Sequence, residues 1–221
     1  MADVEATLFA GPSAFGLPPS LFAGIRRRPP ARRGDIERLV KRQPPGVLLL
    51  CDGVFQAVPA VSHAELGAAL DAGWQVWGVS SLGAIRAWEM RGEGMRGHGH
   101  VYAQFARYED FTDDEMCLLH YPRAPWFPIT EALVNLRWAF EQRGEALGIS
   151  LRQQAIVIDA LGALWFGERS EARIRALLTG DAGVPQQATE ALLGWLPDNR
   201  IKTLDLGRLL AERPWKFSPA A

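Results

Sequence analysis

Between residues 47 and 89 the chain passes twice from a short apolar run, through a turn, into a helical pattern, and this alternation constrains the fold most. Val47–Cys51 is apolar at every position, the texture of a strand covered on both faces in a parallel sheet. Residues 62–72 carry helical spacing and stop at Gly73. Residues 75–79 form the next buried strand, and Ser80 and Ser81 lead from it into a helix over 82–91. Such a succession predicts an α/β fold: a parallel-type central sheet flanked by helices, joined by right-handed crossovers. Upstream, 6–10 reads as a strand ending in the turn Gly11–Ser13, and 14–33 as a loop holding one short helix or strand. Residues 35–41 read as a helix capped by Asp35. Downstream, 92–101 reads as a flexible glycine-rich loop, 112–115 as an acidic turn and 116–120 as strand-like. Helices then fill 130–143, 150–166, 168–178, 186–193 and 204–212. The whole is expected to be a single domain, with an α/β core over 1–125 and a mostly helical C-terminal part over 126–221.

In parallel sheets ligands gather at the carboxyl ends of the strands. That rule places Gly11–Ser13, Asp52–Phe55 and Ser80–Gly83 on one rim. Ser81, between Gly78 and Gly83, stands at the mouth of a helix, where unpaired N–H groups and the positive dipole end meet. It serves there either as a cap or as a nucleophile, in a turn reminiscent of the elbow of serine hydrolases. Asp52 is a strand-end carboxylate or a turn-stabilising residue of Asp52-Gly53. His63 and Glu65 each read as general base, cap or surface. Arg86 needs an anionic partner, either Glu89 or a ligand.

Two compositional facts bear on this chemistry. Lysine occurs only at 41, 202 and 216 among 24 basic residues, so a lysine is where a basic group that can shed its proton is retained. Lys202, read as lying in the loop that enters the last helix, is the one to pair with Ser81; its plain alternative is an exposed loop residue. Second, a net charge of −1 gives no field to recruit nucleic acid or a membrane surface. Arg26, Arg27, Arg28, Arg32 and Arg33 are a local exception, either a solvated loop or a docking patch for an acidic partner. His98 and His100 lack a convergent third ligand, so no metal site is expected, and Cys51 and Cys117 have no zinc spacing. No signal peptide or membrane span is visible, which predicts a soluble cytoplasmic protein.

Several stretches taken together resemble the TfuA family. They are Phe9–Ser13, Arg33–Asp35, Asp52–Phe55, Val58–Val61 with His63 and Glu65, Gly78–Arg86 with Glu89, and Gly94–Gly97 with Gly99. Asp113–Glu115, His120, Val134–Arg137, and Lys202 with Asp205 continue the pattern in order. The resemblance implies a partner of a YcaO-type enzyme in ATP-dependent thioamidation of a peptide backbone. It implies hydrolysis of the thiocarboxylated terminus of a ThiS-like sulfur carrier, which releases sulfide for that enzyme, and engagement of the enzyme's peptide substrate. A Ser-Lys pair is associated with the hydrolysis, and Ser81 matches the family serine. Lys202 is the expected base, and Arg86, Asp52, His63, Glu65 and Arg33 are the expected substrate-binding residues; no cofactor is implied. The chain departs from the family at His63-Ala64-Glu65, where members commonly read His-Lys-Glu. Ala64 therefore keeps open a scaffold that recruits the YcaO enzyme without catalysis. A phosphate-binding α/β enzyme using the 78–83 turn ranks last, since the turn lacks GxGxxG and a P-loop ending.

Overall fold

The computed structural model describes residues 6–54, 58–108 and 111–217; Phe55 of the expected rim and the N-terminal residues before Ala6 lie outside them. The chain divides into two compact units, one formed by Met1–Phe111 with Lys202–Ala221, the other by Thr112–Ile201.

The first unit is built on five parallel strands: β1 (Ala6–Phe9), β2 (Ile25–Arg28), β3 (Val47–Leu50), β4 (Gln75–Val79) and β5 (Arg96–His98), in the order β2-β1-β3-β4-β5. From β2 onward every crossover moves the same way across the sheet, so right-handed connections put their helices on one face. These are α1 (Asp35–Arg42), α2 (His63–Asp71) and α3 (Leu82–Glu89). Ile36, Leu39, Leu66, Ala69, Leu82 and Ala87 pack there against Phe9, Leu48, Leu50 and Val76. The β1–β2 connection moves the opposite way and lies on the other face, where Leu17, Leu21 and Phe22 join Leu8, Leu49, Trp77 and Val79. Leu206, Leu209 and Leu210 of the last helix cover the same face. The chain reverses between β1 and β3, which makes that pair the topological switch point.

The α/β prediction holds, with local departures. Asp35 is not the cap of α1. Gly34 is, at φ +84°, and the Asp35 carboxylate instead accepts the Arg32 N–H at 2.8 Å. The glycine-rich stretch is not a loop: it supplies β5 and enters α4 (His100–Arg107) through Gly99. Gly97 makes this strand possible, because a Cβ there would overlap the Tyr102 ring.

The second unit is helical: α5 (Leu133–Arg143), α6 (Leu151–Gly162), α7 (Glu171–Ala176) and α8 (Gln186–Trp195) surround a core that includes Leu136, Phe140, Val157, Leu161, Leu178 and Leu192. Arg169, 1 % exposed, organises its start by donating to the Leu161 and Leu164 carbonyls and to Asp114. Residues 116–120 form no strand. A short 3-10 turn covers Asp113–Met116, and His120 makes one isolated bridge to Pro128. Among the described residues no helix is long and apolar enough to cross a membrane.

Candidate functional site

The parallel sheet brings the ends of β1, β3, β4 and β5 to one rim of the first unit. At the switch point Asp52 is 2 % exposed and accepts from the Gly11 N–H at 2.7 Å, the Ser13 N–H at 3.0 Å and the Ser13 hydroxyl at 2.7 Å. Its carboxylate thus occupies a small nest of donors that would otherwise attract an anion, and fastens the turn after β1 to β3. Beside it the Cys51 thiol is held well above its usual range by burial and by the Asp52 charge. Hydrogen bonds with Ser80 and Ser13 and the nearby Lys202 charge pull the other way. A thiol so placed stays protonated and is a poor nucleophile.

The end of β4 is a tight elbow. Ser80 adopts φ +66°, a conformation unusual outside glycine, and Ser81 follows as the N-cap of α3 without a side-chain capping bond. The elbow can sit this close because of two glycines: a Cβ at Gly83 would overlap the Leu50 carbonyl, and one at Gly78 the Gly83 carbonyl. That approach lets the Gly83 N–H donate to the Cys51 carbonyl at 3.0 Å, so Gly83 is not available to an incoming oxyanion.

The last helix, α9 (Ile201–Glu212), starts at this rim. Lys202 is in its first turn and is 2 % exposed, so it is neither a loop residue nor a surface one. Its main-chain carbonyl accepts the Ser80 hydroxyl at 2.7 Å. One turn on, the fully buried Asp205 accepts the Val101 N–H at 2.8 Å, also bonds the His100 backbone, and so caps α4. Gly99, at φ +93°, leaves room for that carboxylate. Burial raises the Asp205 pKa to about 6, against the lowering pull of those backbone bonds and of Arg208. Among the described residues Asp205 Oδ1 has no hydrogen-bond partner, and Arg208 stands 3.9 Å away.

Ser81, Asp52 and Lys202 are thereby placed on elements that meet at one rim. The other expected residues form a separate cluster where α2 begins. Glu65 closes a capping box with Ser62 and also accepts the Gly34 N–H at 2.7 Å, serving two helix starts. Arg33 donates to the Ala60 carbonyl at 3.1 Å and lies 3.9 Å from Glu65. Arg86 donates to the Val61 carbonyl and to Glu89, and His63 meets the same Glu89 carboxylate at 2.9 Å. Ser13 and Ser80 lie in the rim segments expected from the sequence without being among the expected site residues, and Asp205 is singled out in the sequence only through the family resemblance. The spacing of Asp205, three residues after Lys202, points to it only once that segment is known to be helical.

His98 and His100 diverge, towards Glu212 and Gln104, and among the described residues no group of three or more His, Cys, Asp or Glu is arranged to hold a metal. No curated protein matches the chain. A model of the family described as TfuA-like protein matches residues 52–170, which include Asp52, His63, Glu65, Ser81 and Arg86 and leave Arg33 and Lys202 outside. With more than half of its 221 residues covered, the chain belongs to the TfuA-like family.

Proposed function

We propose that this protein is an accessory hydrolase of peptide-backbone thioamidation that releases sulfide from a thiocarboxylated, ThiS-like carrier for a YcaO-type partner in the cytoplasm. The observation that carries the reading is the elbow that presents Ser81 beside the turn of α9 bearing Lys202, tied by the Ser80–Lys202 hydrogen bond. Ser81 Oγ attacks the thiocarboxylate carbon as its proton passes to Lys202, and Lys202 hands that proton to the sulfur as the C–S bond breaks, so hydrosulfide leaves and Lys202 is a free base again. Water then adds to the acyl-serine with Lys202 as base, giving the carrier carboxylate and restoring Ser81. Since Gly83 is committed to Cys51, the Leu82 N–H at the start of α3 is the donor this turn offers the oxyanion. Ser81 is 3 % exposed, so a narrow, unbranched carrier terminus suits the rim and its binding has to open the cover. The cluster of Arg33, His63, Glu65 and Arg86 is the proposed docking point for the rest of the carrier, with Asp52 shaping the rim.

Sulfide release from a thiocarboxylated carrier, measured without the partner enzyme, tests the proposal: wild type should release it and Ser81→Ala should not. Full release by Ser81→Ala would overturn it. The second reading, a scaffold that recruits the YcaO enzyme and its peptide, rests on Ala64, an exposed position at the start of α2. It gains if wild type releases nothing and yet stimulates the partner.

A further inference from the structure

The strongest unexplained feature of the first unit is its β2 edge. β2 is the outermost strand, four residues long, and three of the four are arginine: Arg26, Arg27 and Arg28, with Arg32 following after two prolines. Arg27 and Arg28 are exposed and Arg26 is half-buried. Among the described residues no carboxylate pairs with Arg26, Arg27, Arg28 or the Arg32 side chain, whereas Arg33 nearby has Glu65.

The backbone of this edge is also open. The Arg28 carbonyl accepts the Ala10 N–H at 3.1 Å, so Arg26 and Arg28 turn their main-chain groups towards β1. Alternation then turns those of Ile25 and Arg27 outward, and among the described residues nothing meets them. Side chains alternate too. Ile25 packs on the α9 face and Arg27 lies over the Phe22 ring at 4.1 Å, while Arg26 and Arg28 line the opposite face. An incoming strand would therefore find positive charge on both faces.

Charge on an edge strand ordinarily prevents pairing with further copies. Here one sign alone is present, so a second copy in register is repelled while an acidic strand is attracted. We infer that the free edge of β2 is a docking site for an extended acidic segment of a partner protein, which adds to the sheet as a sixth strand through the main chain of Ile25 and Arg27 while its carboxylates meet Arg26, Arg27 and Arg28. The site shares no residue with the Ser81 rim and stands whether or not the rim is catalytic.

The test uses the full chain and a labelled peptide alternating Glu and Val, beside one alternating Lys and Val and one alternating Glu and Pro. The Glu/Val peptide should bind, weaken as salt rises, and slow amide exchange at Ile25 and Arg27 by about tenfold. The double variant Arg26→Glu, Arg28→Glu should lose binding by about tenfold or more, and Arg26→Gln, Arg28→Gln offers a milder pair if the first is unstable. Arg27→Pro, which removes an outward N–H without touching the ladder to β1, should bind several-fold more weakly than Arg27→Ala. Equal binding of the Glu/Pro or Lys/Val peptide, unchanged exchange at Ile25 and Arg27, or a self-associated chain with a protected β2 would each overturn the inference.

Discussion

The hydroxyl of Ser80 donates to the main-chain carbonyl of Lys202 across 122 residues of sequence, at 2.7 Å and fully buried. It joins the elbow after β4 to the start of α9, so the turn that presents Ser81 and the turn that carries Lys202 share one fixed reference point. Ser80→Ala should cost about 1–2 kcal/mol, since a buried carbonyl loses its donor and the left-handed backbone gains no relief. Urea denaturation measures this, and an unchanged midpoint would show that the bond holds nothing.

Lys202→Met keeps the stem of the side chain and removes its base. On the proposed mechanism sulfide release should fall by roughly 10²–10⁴-fold while near-UV circular dichroism stays as in wild type. Lys202→Arg should not restore activity, because a guanidinium does not surrender its proton near neutral pH. An active Lys202→Arg protein would move the base to another group.

Asp205 makes stability depend on pH with a definite sign. Its folded pKa, raised from 3.8 to about 6, means that the folded chain holds the proton over a range where the unfolded chain has released it. Its contribution is fully present below pH 3.8 and is lost as pH rises through about 6, a change of at most about 3 kcal/mol. Asp205→Asn should flatten this slope in denaturation curves taken from pH 4 to 7. A slope equal to that of wild type would assign the effect elsewhere.

Glycines of the first unit divide sharply. Gly83→Ala drives a Cβ into the Leu50 carbonyl and should destabilise the fold by about 3 kcal/mol or more, seen as loss of soluble expression or a much lower Tm. Gly67→Ala, in α2 with open space around it, should instead raise stability by up to about 1 kcal/mol.

Removing Glu65 should uncap two helices at once, because its carboxylate serves Ser62 of α2 and Gly34 of α1. Glu65→Ala is expected to cost about 2 kcal/mol by denaturant titration. A loss of carrier binding beyond that explained by unfolding would add a recognition role to the structural one.

What the sequence could specify was set by near neighbours. The all-apolar run at 47–50, the helical spacing after Ser62 and the strand-to-helix junction at 79–82 each announce themselves within a few residues, and the α/β layering follows. The rule that ligands meet strand carboxyl ends was enough to put Ser13, Asp52 and Ser81 on one side of the sheet. At 92–101 the glycines' low propensity points to a loop, whereas the stretch holds β5 and the start of α4. What makes this stretch a strand and a helix start is pairing with β4 and the Asp205 cap on α4, which comes from 104 residues away at Val101 and cannot be read locally. The turn of Lys202, which the sequence places in a loop, is helical and buried for the same reason: Leu206, Leu209 and Leu210 bury against β1, β3 and β4. The sequence by itself therefore determined β1, β3 and β4 and the helices α1, α2 and α3 beside them. Only the tertiary structure decided which distant ends share the rim, because hydrogen bonds such as Ser80–Lys202 and Val101–Asp205 exist only once the layers have packed.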